Sequence, residues 1–424
     1  MRRLLRGGRV VDPSQELDET ADVLIEDGKI AQVGPNLSGA DEVIDCGGLA
    51  VTPGLIDMHV HLREPGNAEE ETIASGSAAA VAGGFTSVAC MPNTEPAIDN
   101  EASAEFVFLQ AQRAGKARVY PIGSITKERK GEELSEMAGL ARAGAVAFSD
   151  DGETVRNPEV MRRGLLYARM FDKPVIAHCE DPDLAGTGVM NRGVVSMMLG
   201  LPGRSRESEE IIVHRDMTLA EITGSRLHVA HLSSAGSVEI LRRGRERGLA
   251  VTGEVSPHHI VLTEEHVRSY DPNFRMRPPL RTEKDRKALI EGLRDGTIGV
   301  IASDHAPHAR ERKEVEFAFA PDGVIGMETV LPLAITELIG KGNLTLPQLV
   351  RLLSTTPAEI LGIPGGSLRV GRPADVTVID LDSTWKIETS RFRSKSRNCP
   401  FDGWEVKGRA AWTIVGGEVV YSLE

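Results

Sequence analysis

Leu55-Ile56-Asp57-Met58-His59-Val60-His61 is an apolar run that closes on two histidines. On a β-strand, residues two apart point to the same side, so the two imidazoles converge. Taken alone, the pair reads equally well as two ordinary polar residues at a strand end. Further along the chain, seven more apolar runs share this texture, centred on 86–91, 118–123, 145–149, 174–178, 227–231, 250–254 and 299–303. Stretches such as 100–114 and 282–295 between them carry helical patterns. Buried-type strands alternating with helices predict a parallel α/β fold. Eight such units over roughly 300 residues fit a (β/α)8 TIM-type barrel, ~250 residues before insertions. A doubly wound open sheet is the alternative; no GxGxxG turn follows the first strand, which disfavours its nucleotide-binding form.

The two ends of the chain read differently. The first ~50 and last ~55 residues alternate short β-type runs with Gly and Asp turns. They predict one small β-sandwich domain built from both termini, residues 1–52 and 365–424, flanking a catalytic domain at 53–364. Two separate sheets would give the same pattern. Of 424 residues, 41% are apolar and 26% charged, an ordinary globular balance. Lys and Arg number 49 against 62 Asp and Glu, and the net charge of −13 disfavours nucleic acid and anionic membrane partners. Four cysteines without a CxxC pair argue against a disulfide framework and a thiolate zinc site. The N-terminus turns polar too soon for a signal peptide, and no apolar run approaches the ~20 residues of a membrane span. A cytoplasmic protein is expected.

Four further candidate metal ligands lie where barrel enzymes place their chemistry, at the carboxyl ends of strands. Asp151 follows the fourth run, His178 ends the fifth, His231 the sixth and Asp304 the eighth. Imidazole and carboxylate donors suit Zn²⁺, with Mn²⁺ or Fe²⁺ as weaker candidates. With His59 and His61 the candidates exceed what one tetrahedral zinc with an open position takes, whereas a metal pair bridged by a carboxylate and a hydroxide uses all of them.

The stretch from Val51 to His61 resembles the opening signature of the amidohydrolase superfamily, and its extension Leu62-Arg63-Glu64-Pro65-Gly66 resembles the dihydroorotase motif. Met91-Pro92-Asn93-Thr94, Phe148-Ser149-Asp150-Asp151-Gly152, His178-Cys179-Glu180-Asp181, Ser303-Asp304-His305-Ala306-Pro307-His308 and Lys395-Ser396-Arg397-Asn398 extend the match along the chain. The sequence is similar to the bacterial class I dihydroorotases. That resemblance implies two zinc ions per subunit, the first on His59, His61 and Asp304 and the second, more labile, on His178 and His231. Asp151 and a hydroxide would bridge them, where many relatives use a carboxylated lysine. It also implies the reversible cyclisation of N-carbamoyl-L-aspartate to L-dihydroorotate in pyrimidine biosynthesis, with Asp304 carrying the proton. Arg63 and Asn93 would hold the unreactive carboxylate, with His308 a further substrate contact and His61, Arg277, Asp322 and Gly323 completing the set. A homodimer and an association with aspartate transcarbamoylase are compatible with it.

Two positions depart from the family pattern. Arg277 stands before Pro278-Pro279-Leu280-Arg281 where the family often has Asn, and Pro321-Asp322-Gly323 replaces Pro-Phe-Gly. The charged segment 306–326 reads either as a lid or as a solvated helix. His305 is a candidate support for Asp304; His214, His228 and His266 read as structural or surface residues; His258 and His259 lie near the mouth without a ligand assignment. The competing readings are another cyclic amidase (dihydropyrimidinase, hydantoinase or allantoinase) and a non-catalytic subunit that scaffolds aspartate transcarbamoylase. Arg63 and Asp151 favour dihydroorotase over the first, and the full ligand set argues against the second.

Overall fold

The structure, a computed structural model, describes residues 1–423. The apolar runs form two parallel sheets. Leu55–Val60, Phe85–Cys90 and Arg118–Pro121 pair in chain order, and so do Val175–Ala177, Leu227–Val229, Val251–Val255 and Val300–Ile301. Single parallel bridges join the two sheets on both sides. Phe148 bridges to Gly123 and Val175, and Val60 bridges to His305. The run 145–149 is therefore not a full strand. Its ladder stops at Ser149, because the following Asp150 carboxylate turns away to accept the Ile125 and Thr126 amides at 2.8 and 3.0 Å.

These strands are buried on both faces, which is why they read as near-continuous apolar runs rather than alternating ones. Ile56, Met58, Ala89, Ile122, Ile176 and Val300 meet in one cluster. Leu55, Phe85, Val119, Phe148, Leu227 and Ile301 belong to a second, which they share with the surrounding helices. Those helices start where side-chain caps dictate. Asn100 accepts the Ser103 amide to open Glu101–Ala114, which ends at left-handed Gly115; Thr282 accepts the Asp285 amide to open Glu283–Arg294. Both agree with the sequence pattern to within a residue.

The termini join in one hydrogen-bonded sheet of eight strands, not two sheets. The seam is the antiparallel pairing of Ala50–Pro53 with Val376–Lys386, in the register Pro53 to Val376 and Ala50 to Ile379. Leu5, Val23, Val51, Val376 and Ile414 lie in the core of this sheet. Among the described residues, no helix is long and apolar enough to cross a membrane.

The C-terminal part also reaches back over the parallel strands. Glu328 accepts the Arg393 and Ser394 amides at 2.8 and 3.2 Å, anchoring the segment that carries Asn398. Burial pushes the Glu328 carboxyl up to about 7 against the help of those amides. A carboxyl raised in the folded state binds more protons folded than unfolded, so stability falls as pH rises from about 4.5 to 7. Glu328→Gln keeps an acceptor without the charge. Its melting temperature is expected to match wild type at pH 4.5 and exceed it at pH 8; a parallel pair of melting-versus-pH curves would refute this.

Candidate metal centre and substrate cavity

The strand ends bring His59, His61, Asp151, His178, His231 and Asp304 into one buried cluster. Asp151 is its centre. Its Oδ2 lies 3.5 Å from His59 Nε2 and 3.6 Å from His61 Nε2, while Oδ1 lies 3.5 Å from both His178 Nδ1 and His231 Nε2. Two groups of donor atoms, each spanning less than 4.8 Å, share this carboxylate: His59, His61 and Asp151, and Asp151, His178 and His231. Asp304 Oδ1 sits beside the first group, 3.2 Å from His61 Nε2 and 3.6 Å from His59 Nε2. The backbones of Arg63, His231 and Asp304 all adopt positive φ, at 59°, 30° and 50°. Such conformations cost of order 1–3 kcal/mol each and gather at functional sites.

Neighbouring side chains set which ring nitrogens face inward. Glu254 Oε1 lies 2.5 Å from His59 Nδ1, and its Oε2 lies 3.1 Å from His228 Nε2. With Nδ1–H donating to Glu254, the lone pair of His59 Nε2 points at the Asp151 and Asp304 carboxylates. Asn93 Oδ1 lies 2.8 Å from His61 Nδ1 and selects the same tautomer there, which leaves the Asn93 amide N–H groups as donors.

The cluster fits a divalent cation. His59 Nε2 and Asp151 Oδ1 are buried without a hydrogen-bond partner, a costly state for acceptors facing acceptors. The charge balance agrees. Burial works against a charged His59 ring, yet Asp151, Glu254 and Asp304 outweigh it and raise its pKa well above the usual value. Burial likewise opposes ionised Asp151 and Asp304, but the surrounding imidazoles hold both carboxyls well below the carboxylate range. Glu254 is held at about 2 by His59 and His228 despite its burial. Three ionised carboxylates around these imidazoles call for positive charge, and nitrogen and oxygen donors suit a borderline metal ion.

Above the cluster lies a cavity of about 480 Å³. His61, Arg63, Asn93, Arg277, His308, Asp322 and Gly323 all line it. Arg63 Nε donates to Pro307 O at 3.1 Å and lies 3.4 Å from Glu70 Oε2, which orients the rest of its guanidinium. His308 Nε2 donates to Asp322 O at 2.8 Å. Gly323 has φ +104°, and a Cβ there would stand 2.7 Å from that of Ala306, so only glycine fits. Asn398 joins these walls. Its Oδ1 accepts the His308 amide at 3.1 Å, and its Nδ2 donates to Ala306 O and Gly323 O at 2.9 and 3.2 Å.

One expectation changes here. His305 does not support Asp304; its Nε2 lies 3.3 Å from Glu71 Oε2 and its Nδ1 accepts the Gly326 amide, the chain turning at Asp304 through its positive φ. His228 is structural, as expected, and the residue it holds is Glu254. The segment 306–326 contains a helix exposed at Arg310, Glu311 and Arg312, as a solvated helix would be, but anchored by one buried residue. Its short helix Arg310–Lys313 buries Lys313, whose Nζ donates to Pro321 O and Gly323 O, while Arg312 donates to Glu70. Glu254 and Glu180 were not among the sequence candidates. Glu254 ends the seventh apolar run, so the strand-end criterion already pointed to it.

A family model described as dihydro-orotase-like matches residues 48–237. The chain is 52% identical to the dihydroorotase of Syntrophotalea carbinolica over 424 residues, covering 100% of both chains. The chain belongs to the dihydroorotase family. The dihydroorotase of Geobacter metallireducens is likewise 52% identical, over 99% of this chain and 100% of its own. Among solved structures, L-hydantoinase from Arthrobacter aurescens matches with a TM-score of 0.86 at 27% identity, covering 99% of this chain and 96% of that one. Dihydropyrimidinase from Brevibacillus agri matches with a TM-score of 0.86 at 25% identity, covering 100% and 95%. This dihydroorotase-family chain thus shares its fold with hydantoin- and dihydropyrimidine-named enzymes and its full-length sequence with dihydroorotases.

Glu254 offers a direct test of the centre. Glu254→Gln leaves the volume but removes the anion that fixes the His59 tautomer. It is expected to weaken metal binding by about 10–100-fold, measured by competition against a chromophoric chelator. Wild-type affinity would show that Glu254 has no part in orienting His59.

Proposed function

We propose that this protein is a zinc-dependent dihydroorotase of de novo pyrimidine biosynthesis, acting in the cytoplasm as a cyclic amidohydrolase. The observation that carries the reading is a bridging carboxylate, Asp151, shared by two histidine pairs beneath an arginine-lined cavity. Its architecture we read as a closed (β/α)8 barrel, the two parallel sheets completing each other through Phe148 and His305. Residues 53–364 form that catalytic domain, and residues 1–52 and 365–424 the small domain, built on the single β-sheet in place of the expected sandwich.

In this reading His59, His61 and Asp304 hold one zinc, His178 and His231 a second, and Asp151 bridges them. When bound, the ions supply a water made acidic enough to attack at neutral pH and a Lewis acid for the amide oxygen. The chain's own residues do the rest. In hydrolysis of L-dihydroorotate, a new C–O bond forms at the ring amide carbon as the C–N bond breaks. Asp304 takes the proton from the attacking water and delivers it to the departing ring nitrogen. In cyclisation it removes the proton from the ureido nitrogen of N-carbamoyl-L-aspartate, and water leaves. Arg63 meets the carboxylate that does not react, with the Asn93 amide as a further donor and His308 lining the cavity beside it. Holding this anion at a fixed distance from Asp304 makes the proton transfer to that carboxylate effectively unimolecular, while the ring closure itself is intramolecular.

The test compares metal-stripped and zinc-loaded protein on L-dihydroorotate, hydantoin and allantoin. Turnover is expected only after loading, with dihydroorotate the best substrate. Faster hydrolysis of hydantoin or allantoin would favour another cyclic amidase, and an inactive zinc-loaded protein would favour a scaffolding role.

A further inference from the structure

Arg277 and Asp322, the two wall positions that depart from the dihydroorotase pattern, are not independent of each other. Arg277 places Nε and Nη2 at 2.8 and 2.6 Å from Glu180 Oε1. The other oxygen of Glu180 lies 3.0 Å from Arg204 Nη1, and Arg204 Nη2 lies 4.0 Å from Asp322 Oδ2. Asp322 Oδ1 in turn accepts from Arg275 Nε at 2.8 Å. Three guanidinium groups and two carboxylates thus alternate in one line, drawn from the segments that follow the fifth, seventh and eighth apolar runs.

This line forms one side of the cavity. Arg277 and Asp322 face it, with side chains 27% and 23% exposed, while Glu180 and Arg204 are buried behind them at 7% and 10%. With Nε and Nη2 spent on Glu180, Arg277 keeps Nη1 as its remaining donor toward the cavity. Resting on the dihydroorotase reading above, we propose that this ion-paired wall determines ring selectivity: it accepts small cyclic amides bearing polar or anionic groups and rejects rings bearing apolar substituents.

The physical reason is asymmetric. A polar ring edge or carboxylate replaces the water lost from Arg277 with a charge-assisted hydrogen bond. An isopropyl or phenyl group against the same wall strips water from Arg277 and Asp322 and returns nothing, and unpaired buried polar groups are what make such sites discriminate strongly. The single cation in excess further favours an anionic ring. Pairing also explains how two charged residues are tolerated side by side in a cavity wall, since each is held by a partner of opposite sign.

The experiment measures kcat/KM of the zinc-loaded protein for L-dihydroorotate and for 5-isopropylhydantoin, with metal content and melting temperature recorded for each variant. In the Arg277→Met/Asp322→Leu double variant, the ratio of hydantoin to dihydroorotate efficiency is expected to rise by about 10–100-fold. The change should appear mainly in KM, rising for dihydroorotate and falling for the hydantoin. Arg277→Lys, which keeps the charge but not the forked contact to Glu180, should recover part of the selectivity that Arg277→Met loses, a rescue that a merely structural role does not predict. If the double variant fails to fold, Arg277→Met alone is expected to shift the ratio in the same direction. A ratio unchanged within about twofold in metal-replete, folded variants of an active wild type would overturn the wall alone. A wild type inactive on dihydroorotate would overturn the functional reading and this inference with it.

Discussion

Asp304→Asn is expected to lower dihydroorotate turnover by about 10²–10⁴-fold, the range a positioned general acid–base contributes, while most of the bound metal remains. The variant keeps the shape of the side chain and an oxygen for the 3.2 Å approach to His61 Nε2, but an amide cannot take up and pass on a proton. The separation of effects follows from geometry. Asp304 stands beside the first histidine pair, whereas Asp151 belongs to both donor groups. The loss should therefore fall on kcat with only a minor change in metal stoichiometry, read by steady-state kinetics alongside elemental analysis. Turnover at the wild-type rate would remove Asp304 from the proton path; complete loss of metal would make it a ligand first.

Asp151→Ala is expected to do the opposite, abolishing activity through loss of metal. Its two oxygens lie 3.5–3.6 Å from all four imidazoles, so its removal takes away the only carboxylate common to both donor groups. In the two-zinc reading, the ions would then face neutral imidazoles without the anion between them. Removing one member of a buried charge cluster is strongly destabilising, with about 3–5 kcal/mol typical of a buried pair. Metal content should fall below one ion per chain, the His178 and His231 site emptying first, and excess zinc should not restore wild-type turnover. Asp151→Asn, isosteric but neutral, should retain more metal than the alanine variant. Wild-type metal content in Asp151→Ala would refute the bridge.

Much of the site was legible because barrel chemistry gathers at one end of successive strands, a rule that acts on short local patterns. His59, His61, His178 and His231 each close an apolar run, and a run's end can be found without knowing its neighbours. Glu254 closes one too, but carboxylates at strand ends are common and nothing local shows that its partner is His59, 195 residues away. Asn398 was visible as part of a motif, yet its task, tying His308 to Gly323, exists only where a terminal segment crosses the cavity wall. His305 shows the reverse failure. Adjacency to Asp304 suggested support, while the ring turns to Glu71, 234 residues away.

By itself, the amino-acid order pointed to the α/β alternation, to β structure at both ends of the chain, to six candidate donors at strand ends and to an arginine beside them. These depend on hydrophobic period, turn chemistry and donor type, which are properties of short segments. Only the tertiary structure decided which ring nitrogen of each histidine faces inward, that both termini share one sheet, and that Arg277 and Asp322 share one chain of charge. Those outcomes rest on distances between residues far apart in sequence, and an electrostatic contact of 3 Å cannot be read from either partner alone.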